Sequence, residues 1–255
     1  MEVYYLIVFF IIGTVLGSFY NVVGYRLPKG ESIVYPASHC PNCDHKLGPL
    51  ELIPIFSYLF QKGKCKNCQQ KISLFYPIFE FLGGILFALA YYIFGFTPDL
   101  LIALTFISLV LIVMVSDYHY LIISDGVLAV VGILLLLEVF FLKGPEEALT
   151  AVISGFIAFL VMFLIKKLGD FMFKKESMGG GDIKLMFIFG LVLDFPVALF
   201  AIFLGSLIGL PISLIIMFKK NTHIIPFGPF LCVAALILFF LQVDSDLIMQ
   251  LLIRS

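Results

Sequence analysis

Gly179-Gly180-Gly181-Asp182-Ile183-Lys184 interrupts a long apolar sequence, and beyond Lys184 the chain runs to Leu193 without another charge. Hydrophobic runs long enough to span a bilayer flank this segment. Asp182 is thus an ionisable group where such groups are expensive, which marks it as a functional candidate. The composition around it agrees. Of 255 residues, 62% are hydrophobic and 13% charged, against about 45–50% apolar and about 25% charged in soluble domains. With a mean hydropathy of +1.12, the chain reads as an all-α polytopic membrane protein. Trp is absent, leaving 11 Tyr, with Lys and Arg, as interfacial anchors.

At about 20 apolar residues per spanning helix, the sequence predicts an eight-helix transmembrane bundle. The spans are Val3–Val23, Leu74–Gly95, Asp99–Ser116, Leu121–Leu142, Ala148–Ile165, Ile183–Leu193, Val197–Phe218 and Phe227–Leu241. At Asp194-Phe195-Pro196 a very short turn must fold one apolar stretch into two helices. Ile183–Leu193 is short for a span unless its helix begins among the glycines. Met1-Glu2-Val3-Tyr4-Tyr5 lacks a basic n-region, and no A-x-A-like cleavage site follows, so the first apolar run reads as a retained span. No low-complexity linker or convincing internal repeat stands out. Three domains are expected: residues 1–23, a first transmembrane helix; 24–73, a small extramembrane module; and 74–255, a helical bundle.

Lysine and arginine give the orientation. Residues 24–73 hold Arg26, Lys29, Lys46, Lys62, Lys64, Lys66 and Lys71. Lys166, Lys167, Lys174, Lys175 and Lys184 follow the fifth span, and Lys219 and Lys220 follow the seventh. The opposite connections and the tail hold only Lys143 and Arg254. Fourteen against two predicts a cytoplasmic module, Asp117 region and glycine segment, with both termini outside.

Cys40-Pro41-Asn42-Cys43 and Cys65-Lys66-Asn67-Cys68 form a C-x2-C…C-x2-C pattern with 21 residues between the inner cysteines. Each motif wraps a tight turn presenting two thiolates, and two such turns complete a tetrahedral site. Two disulfides are the alternative, but the loop is expected on the reducing side, which favours metal: zinc first, iron second. Four thiolates leave no open coordination position, so the expected role is structural. His39 and His45 flank the first knuckle as polar neighbours or substitute ligands. The lysines around the second suit the site's negative charge and anionic headgroups. They lack the interleaved aromatics of a nucleic-acid surface.

Among the carboxylates, Asp99, Glu138 and Asp194 lie toward the outer ends of spans, where water reaches them. Asp125 follows Ser124 and suits a helix cap or an interfacial turn. Glu80 lies about two turns into its span and needs a polar partner. Asp117 and Asp182 fall at one depth on the cytoplasmic side. Such a pair can share a proton, one carboxyl acting as general base toward water and the other as general acid. Separate helix-end carboxylates and an ion site are the open alternatives. Gly179, Gly180 and Gly181 would admit a substrate backbone closely. Lys184 either favours ionised Asp182 or snorkels at a helix end.

Together these motifs resemble the type IV prepilin peptidases, bacterial membrane aspartic proteases of the G-x-G-D class. Gly179–Lys184 is similar to their G-x-G-D-x-K segment, and Asp117 with Asp125 to their D-x5-[IL]-P-[DN] motif, Ser124 replacing the usual proline. Further matches are Gly17–Pro28, the four cysteines, Glu51-Leu52-Ile53-Pro54, Tyr76-Pro77 with Glu80, and Pro226-Phe227-Gly228-Pro229. The resemblance implies that Asp117 and Asp182 are the catalytic pair, with Gly179, Gly180, Gly181, Lys184, Glu80 and Asp125 supporting. The implied substrates are prepilins or pseudopilins, cut after a basic leader at the cytoplasmic face of the bacterial inner membrane. A bifunctional member also methylates the new amino terminus with S-adenosylmethionine, although no Gly-rich cofactor fingerprint is present. Two rivals from other classes are a zinc-stabilised ion-coupled transporter, betrayed by ion-dependent uptake, and a non-catalytic pilin assembly factor, betrayed by binding without cleavage.

Overall fold

The computed structural model describes residues 2–176, 178–220, 225–245 and 248, without the side chains of Lys219 and Lys220. Arg254 and most of the tail, which entered the orientation argument, lie outside the described residues. Nine α-helices are described: α1 (Glu2–Arg26), α2 (Phe56–Phe60), α3 (Phe75–Phe94), α4 (Pro98–Tyr120), α5 (Asp125–Lys143), α6 (Pro145–Phe173), α7 (Gly180–Leu193), α8 (Phe195–Lys220) and α9 (Gly228–Phe240). No strand is formed among the described residues. Each of the eight expected spans is a helix, and among the described residues six helices are long and apolar enough to cross a membrane. The eight-span count is therefore not confirmed. At 14 and 13 residues, α7 and α9 extend about 20 Å, short of a hydrocarbon core of about 30 Å. The turn between α7 and α8 is Asp194 alone, at φ 66°, and α7 does begin among the glycines.

Two compact units divide the chain, Met1–Leu100 and Leu101–Ser255. α3 falls in the first, against α1. Their crossing is set by glycine: a Cβ on Gly13 would lie 2.4 Å from the Gly83 carbonyl oxygen, and one on Gly83 would lie 2.6 Å from that of Gly13. A Cβ on Gly17, one G-x3-G step along, would lie 3.1 Å from the Glu80 Cα. Where lipid removes any hydrophobic preference for a neighbouring helix, such backbone approach supplies the packing. Toward the other end, Tyr5, Phe9, Tyr91 and Phe96 pack ring to ring.

In the second unit, α4 and α7 are the buried helices. Phe106, Ile107, Leu109 and Val110 of α4 are fully enclosed, as are Leu185, Met186 and Phe189 of α7. Phe106 meets Phe189 edge to face, ring centres 5.7 Å apart. α6 crosses α7 where a Cβ on Gly190 would lie 2.7 Å from the Gly155 Cα. These two enclosed helices carry Asp117 and Asp182.

Gly13→Val is expected to force α1 and α3 apart. A methyl directed at backbone has no rotamer escape, and the cost is about 1–3 kcal/mol. Unfolding of the purified protein in mixed micelles reads this directly.

Candidate active site

Asp117 lies one turn from the end of α4, which stops at Tyr120 as Leu121 turns to φ 56°. Its Oδ2 accepts the Gly228 backbone N–H at 3.0 Å. Gly228 opens α9, so this amide is one of the four donors that a helix start leaves without an intrahelical partner. A buried acceptor and an orphan donor satisfy each other. A Cβ at 228 would lie 2.6 Å from Asp117 Oδ2, so a side chain there would displace the carboxylate. Asp182 stands in the first turn of α7, where the helix dipole favours negative charge. Both carboxylates are buried, Asp117 6% and Asp182 8% exposed. The Asp117 charge acts on Asp182, and both act on the fully buried Cys232 thiol one turn into α9.

The three glycines have different surroundings. A Cβ on Gly181 would lie 2.7 Å from the Ile123 Cβ, one on Gly179 would lie 3.4 Å from Asp182 Oδ2, and one on Gly180 would meet nothing within 4 Å. None has positive φ. Packing at Gly181, rather than conformational freedom, is what a side chain would violate. Ile123 is the buried residue of the short link between α4 and α5, so Gly181 docks the Asp182 helix beside the segment that follows Asp117.

Lys184 Nζ reaches both oxygens of Asp125 at 2.7 Å. Lys184 thus pairs with Asp125 rather than serving Asp182 or snorkelling alone. Asp125 is the first helical residue of α5, and the preceding Ser124 makes no side-chain cap. This pair ties α7 to α5 at the exposed margin of the site.

In the first unit, Glu80 finds its polar partner: Oε2 accepts the Ile55 backbone N–H at 2.7 Å, with Ser18 as a second donor. It anchors the extramembrane loop to α3.

The four cysteines converge. Their sulfurs lie within 4.8 Å of one another, with Cys40–Cys68 at 3.8 Å and Cys43–Cys65 at 3.9 Å, and all four are free thiols. Ligands about 2.3 Å from a tetrahedral metal are about 3.8 Å apart, so the cluster can hold one. His39 and His45 are not part of it. The two knuckles are copies offset by 25 positions, an internal repeat that sequence inspection passes over. Cys40 N–H donates to His45 O and Cys65 N–H to Gln70 O, both at 2.9 Å. Asp44 and Gln69 both take positive φ, and His39–Lys46 and Lys64–Lys71 are matching bridges. Asn42 donates to Cys68 and Asn67 to Cys43, each at 3.6 Å. The Gln70 backbone N–H, then Asn42, draw the Cys68 thiol down to about 6. Beside the knuckles, Glu51 Oε2 accepts from Gly48 N–H at 2.9 Å and pairs with His45 Nε2 at 3.1 Å; the amide first, then the histidine, hold this carboxyl below its ordinary range.

Two family models match the chain: the bacterial peptidase A24 N-terminal domain over residues 11–94 and the type IV leader peptidase family over residues 104–214. The first match includes the four cysteines, Glu51 and Glu80, and the second includes both aspartates. Among similar curated proteins is a prepilin leader peptidase/N-methyltransferase of Bacillus subtilis, 41% identical over 79% of this chain and 79% of its own length. Proteins of the same name from Neisseria gonorrhoeae and Vibrio cholerae are each 31% identical, the latter over 94% of this chain and 98% of its own. No solved structure matches.

The glycine environments predict opposite signs for one substitution. Gly228→Ala and Gly181→Ala should each destabilise by about 1–3 kcal/mol through overpacking. Gly180→Ala, with open space, should be neutral or stabilising by up to about 1 kcal/mol through helix propensity. Thermal unfolding of the three variants in detergent tests the ordering.

Proposed function

The chain belongs to the type IV leader peptidase family, and on that premise we propose that Asp117 and Asp182 are the catalytic pair with which it removes the basic leader of type IV prepilins or pseudopilins. The observation that supports this most is that the two enclosed helices of the second unit each carry one buried carboxylate, and the charge of one acts on the other. Two such carboxyls do not both ionise. The ionised one takes a proton from water as its oxygen attacks the scissile carbonyl carbon. The protonated one donates to the carbonyl oxygen, and the C–N bond breaks as the amine leaves with a proton. No covalent intermediate forms. Gly228 and the Gly181–Ile123 contact keep the two helix ends in register, and the Lys184–Asp125 pair holds the margin. The peptidase role belongs to the helical bundle that includes both aspartates.

The excess of lysine and arginine in alternate connections supports a multi-pass orientation in the bacterial inner membrane with the site facing the cytoplasm and both termini outside. A prepilin's apolar helix would then lie in the bilayer and its basic leader in the cytoplasm.

The chain is also an N-methyltransferase in this reading. Zinc suits the four thiolates in spacing and chemistry, held by Cys40, Cys43, Cys65 and Cys68 as a closed structural site. Bound there, it would give a small loop without a large core the rigidity to present other side chains. S-Adenosylmethionine, when bound, supplies the sulfonium methyl to the neutral amine nitrogen, the C–S bond breaking to leave a thioether as the amine gives up a proton. Its fit to this chain has an observation behind it: Glu51 Oε1 is buried without a hydrogen-bond partner among the described residues, and the donor has hydroxyl and ammonium groups to offer.

The full-length protein in lipid, given a tagged prepilin and labelled S-adenosylmethionine, should yield a pilin lacking its leader and carrying one labelled methyl on its new amino terminus. Mass measurement of that terminus reads both reactions. Unprocessed prepilin would refute the peptidase; a cleaved, unmethylated product would refute the methyltransferase alone.

A further inference from the structure

A glutamate inside a spanning helix fixes the depth of the loop that it binds. α3 has 20 residues, about 30 Å of helix, which matches the hydrocarbon thickness of a bilayer. Glu80 is five residues past its start, Phe75, and thus lies about 8 Å inside that layer. Helical side chains lean toward the helix start, and Glu80 Oε2 accepts the Ile55 amide at 2.7 Å. Ile55 is therefore held near the edge of the hydrocarbon and not out in water. The chain around Ile55 is built for that level. Leu50, Leu52, Ile53, Phe56, Leu59 and Phe60 are all exposed, Leu50 by 78% and Phe60 by 82%. Phe56, Leu59 and Phe60 fall at i, i+3 and i+4 on one face of α2. So many large apolar side chains in one short stretch make a patch that a water-facing surface rarely carries. The backbone is prepared as well. The Ser57, Leu59 and Gln61 amides bond to the carbonyls of Ile53, Ile55 and Ser57, which spares them the need for water.

We propose that residues 50–60 form an interfacial segment whose apolar face lies in the bilayer, with the lysines that follow it on anionic headgroups. This depends on neither of the proposed reactions. Lys62, Lys64, Lys66 and Lys71 are exposed, and Lys64 and Lys66 border one hollow of about 560 Å³ with Leu50, Ile53 and Phe60. Cation and hydrocarbon are thus side by side, the pairing that an anionic phospholipid meets with its phosphate and its acyl chain. Amphipathic segments of this kind bury their apolar face about 5–10 Å into the boundary between headgroups and acyl chains. That is the level at which Glu80 holds Ile55. Close to Glu80 on α3, Ile78 and Phe81 are exposed too, so helix and loop present the same apolar surface to one medium. A water-soluble partner has no access to a face at that depth. Residues 24–73, expected as an extramembrane module, are then partly embedded.

The chain has no Trp, so one introduced indole reports alone. Full-length Phe60→Trp, reconstituted in vesicles of phosphatidylethanolamine and phosphatidylglycerol, is compared with Phe81→Trp, which marks the level of Glu80 on α3. Both emissions should fall strongly, and to a similar extent, when the lipids carry bromine on the acyl chain near the headgroup. Aqueous acrylamide should quench Phe60→Trp in vesicles severalfold less than it quenches free tryptophan. A Phe60→Trp emission open to acrylamide and indifferent to brominated lipid would overturn the proposal. So would an emission shielded from both, since protein and not lipid would then cover the face. Should Phe60→Trp fail to accumulate, Leu50→Trp, at a position almost as exposed, decides by the same two readings.

Discussion

Two carboxylic acids lie inside helices that have almost no solvent-facing side, and each must find electrostatic support there. Asp117 takes an amide that the start of α9 leaves free. Asp182 sits at the start of α7, where the helix dipole is favourable. These solutions constrain the surrounding sequence. Residue 228 cannot carry a side chain without displacing the Asp117 carboxylate, residue 181 lies close against Ile123, and α7 must begin where it does for Asp182 to fall in its first turn. The hydrogen bond between Asp117 and Gly228 joins residues 111 positions apart, so the site exists only once α4, α7 and α9 have packed.

Much of this was legible in the sequence. Apolar run length located every described helix except the five-residue α2. The short α7 was anticipated from the Asp194-Phe195-Pro196 turn, because one long apolar stretch had to be broken somewhere. What did not show was partner choice. Lys184 is two positions from Asp182 in sequence, yet on a helix neighbours at that spacing point apart; its partner Asp125 comes from another helix. Glu80 visibly needed a donor, but the Ile55 amide lies across a loop whose path no local pattern specifies. Gly228 stood within a recognisable motif, and only tertiary packing reveals that its amide serves Asp117. The knuckle repeat escaped notice because its two copies share little beyond their cysteines, an asparagine and a terminal lysine. The expected number of spanning helices is not confirmed, since α7 and α9 match in composition and fall short in length.

The first unit follows a different logic. Its loop is small, so it substitutes a thiolate cluster and a buried carboxylate for a core. Glu80 ties the loop to α3, the knuckles fold it on itself, and Glu51 is left with one oxygen satisfied and one not. The aspartates are the complementary case, two buried carboxyls to which we assign the proton transfers.

The central claim is that Asp117 and Asp182 act as one acid–base pair. It is tested most directly by leader cleavage with membranes carrying Asp117→Asn, Asp182→Asn or both, each normalised to protein accumulated. Asparagine keeps the shape, and at Asp117 the acceptor for Gly228, but can neither take nor give the proton. Either single variant should therefore lose about 10²–10⁴-fold in rate, and the double variant should be little worse than the more damaged single, as expected for groups working as a unit. Cleavage at the wild-type rate by either single variant would contradict the account.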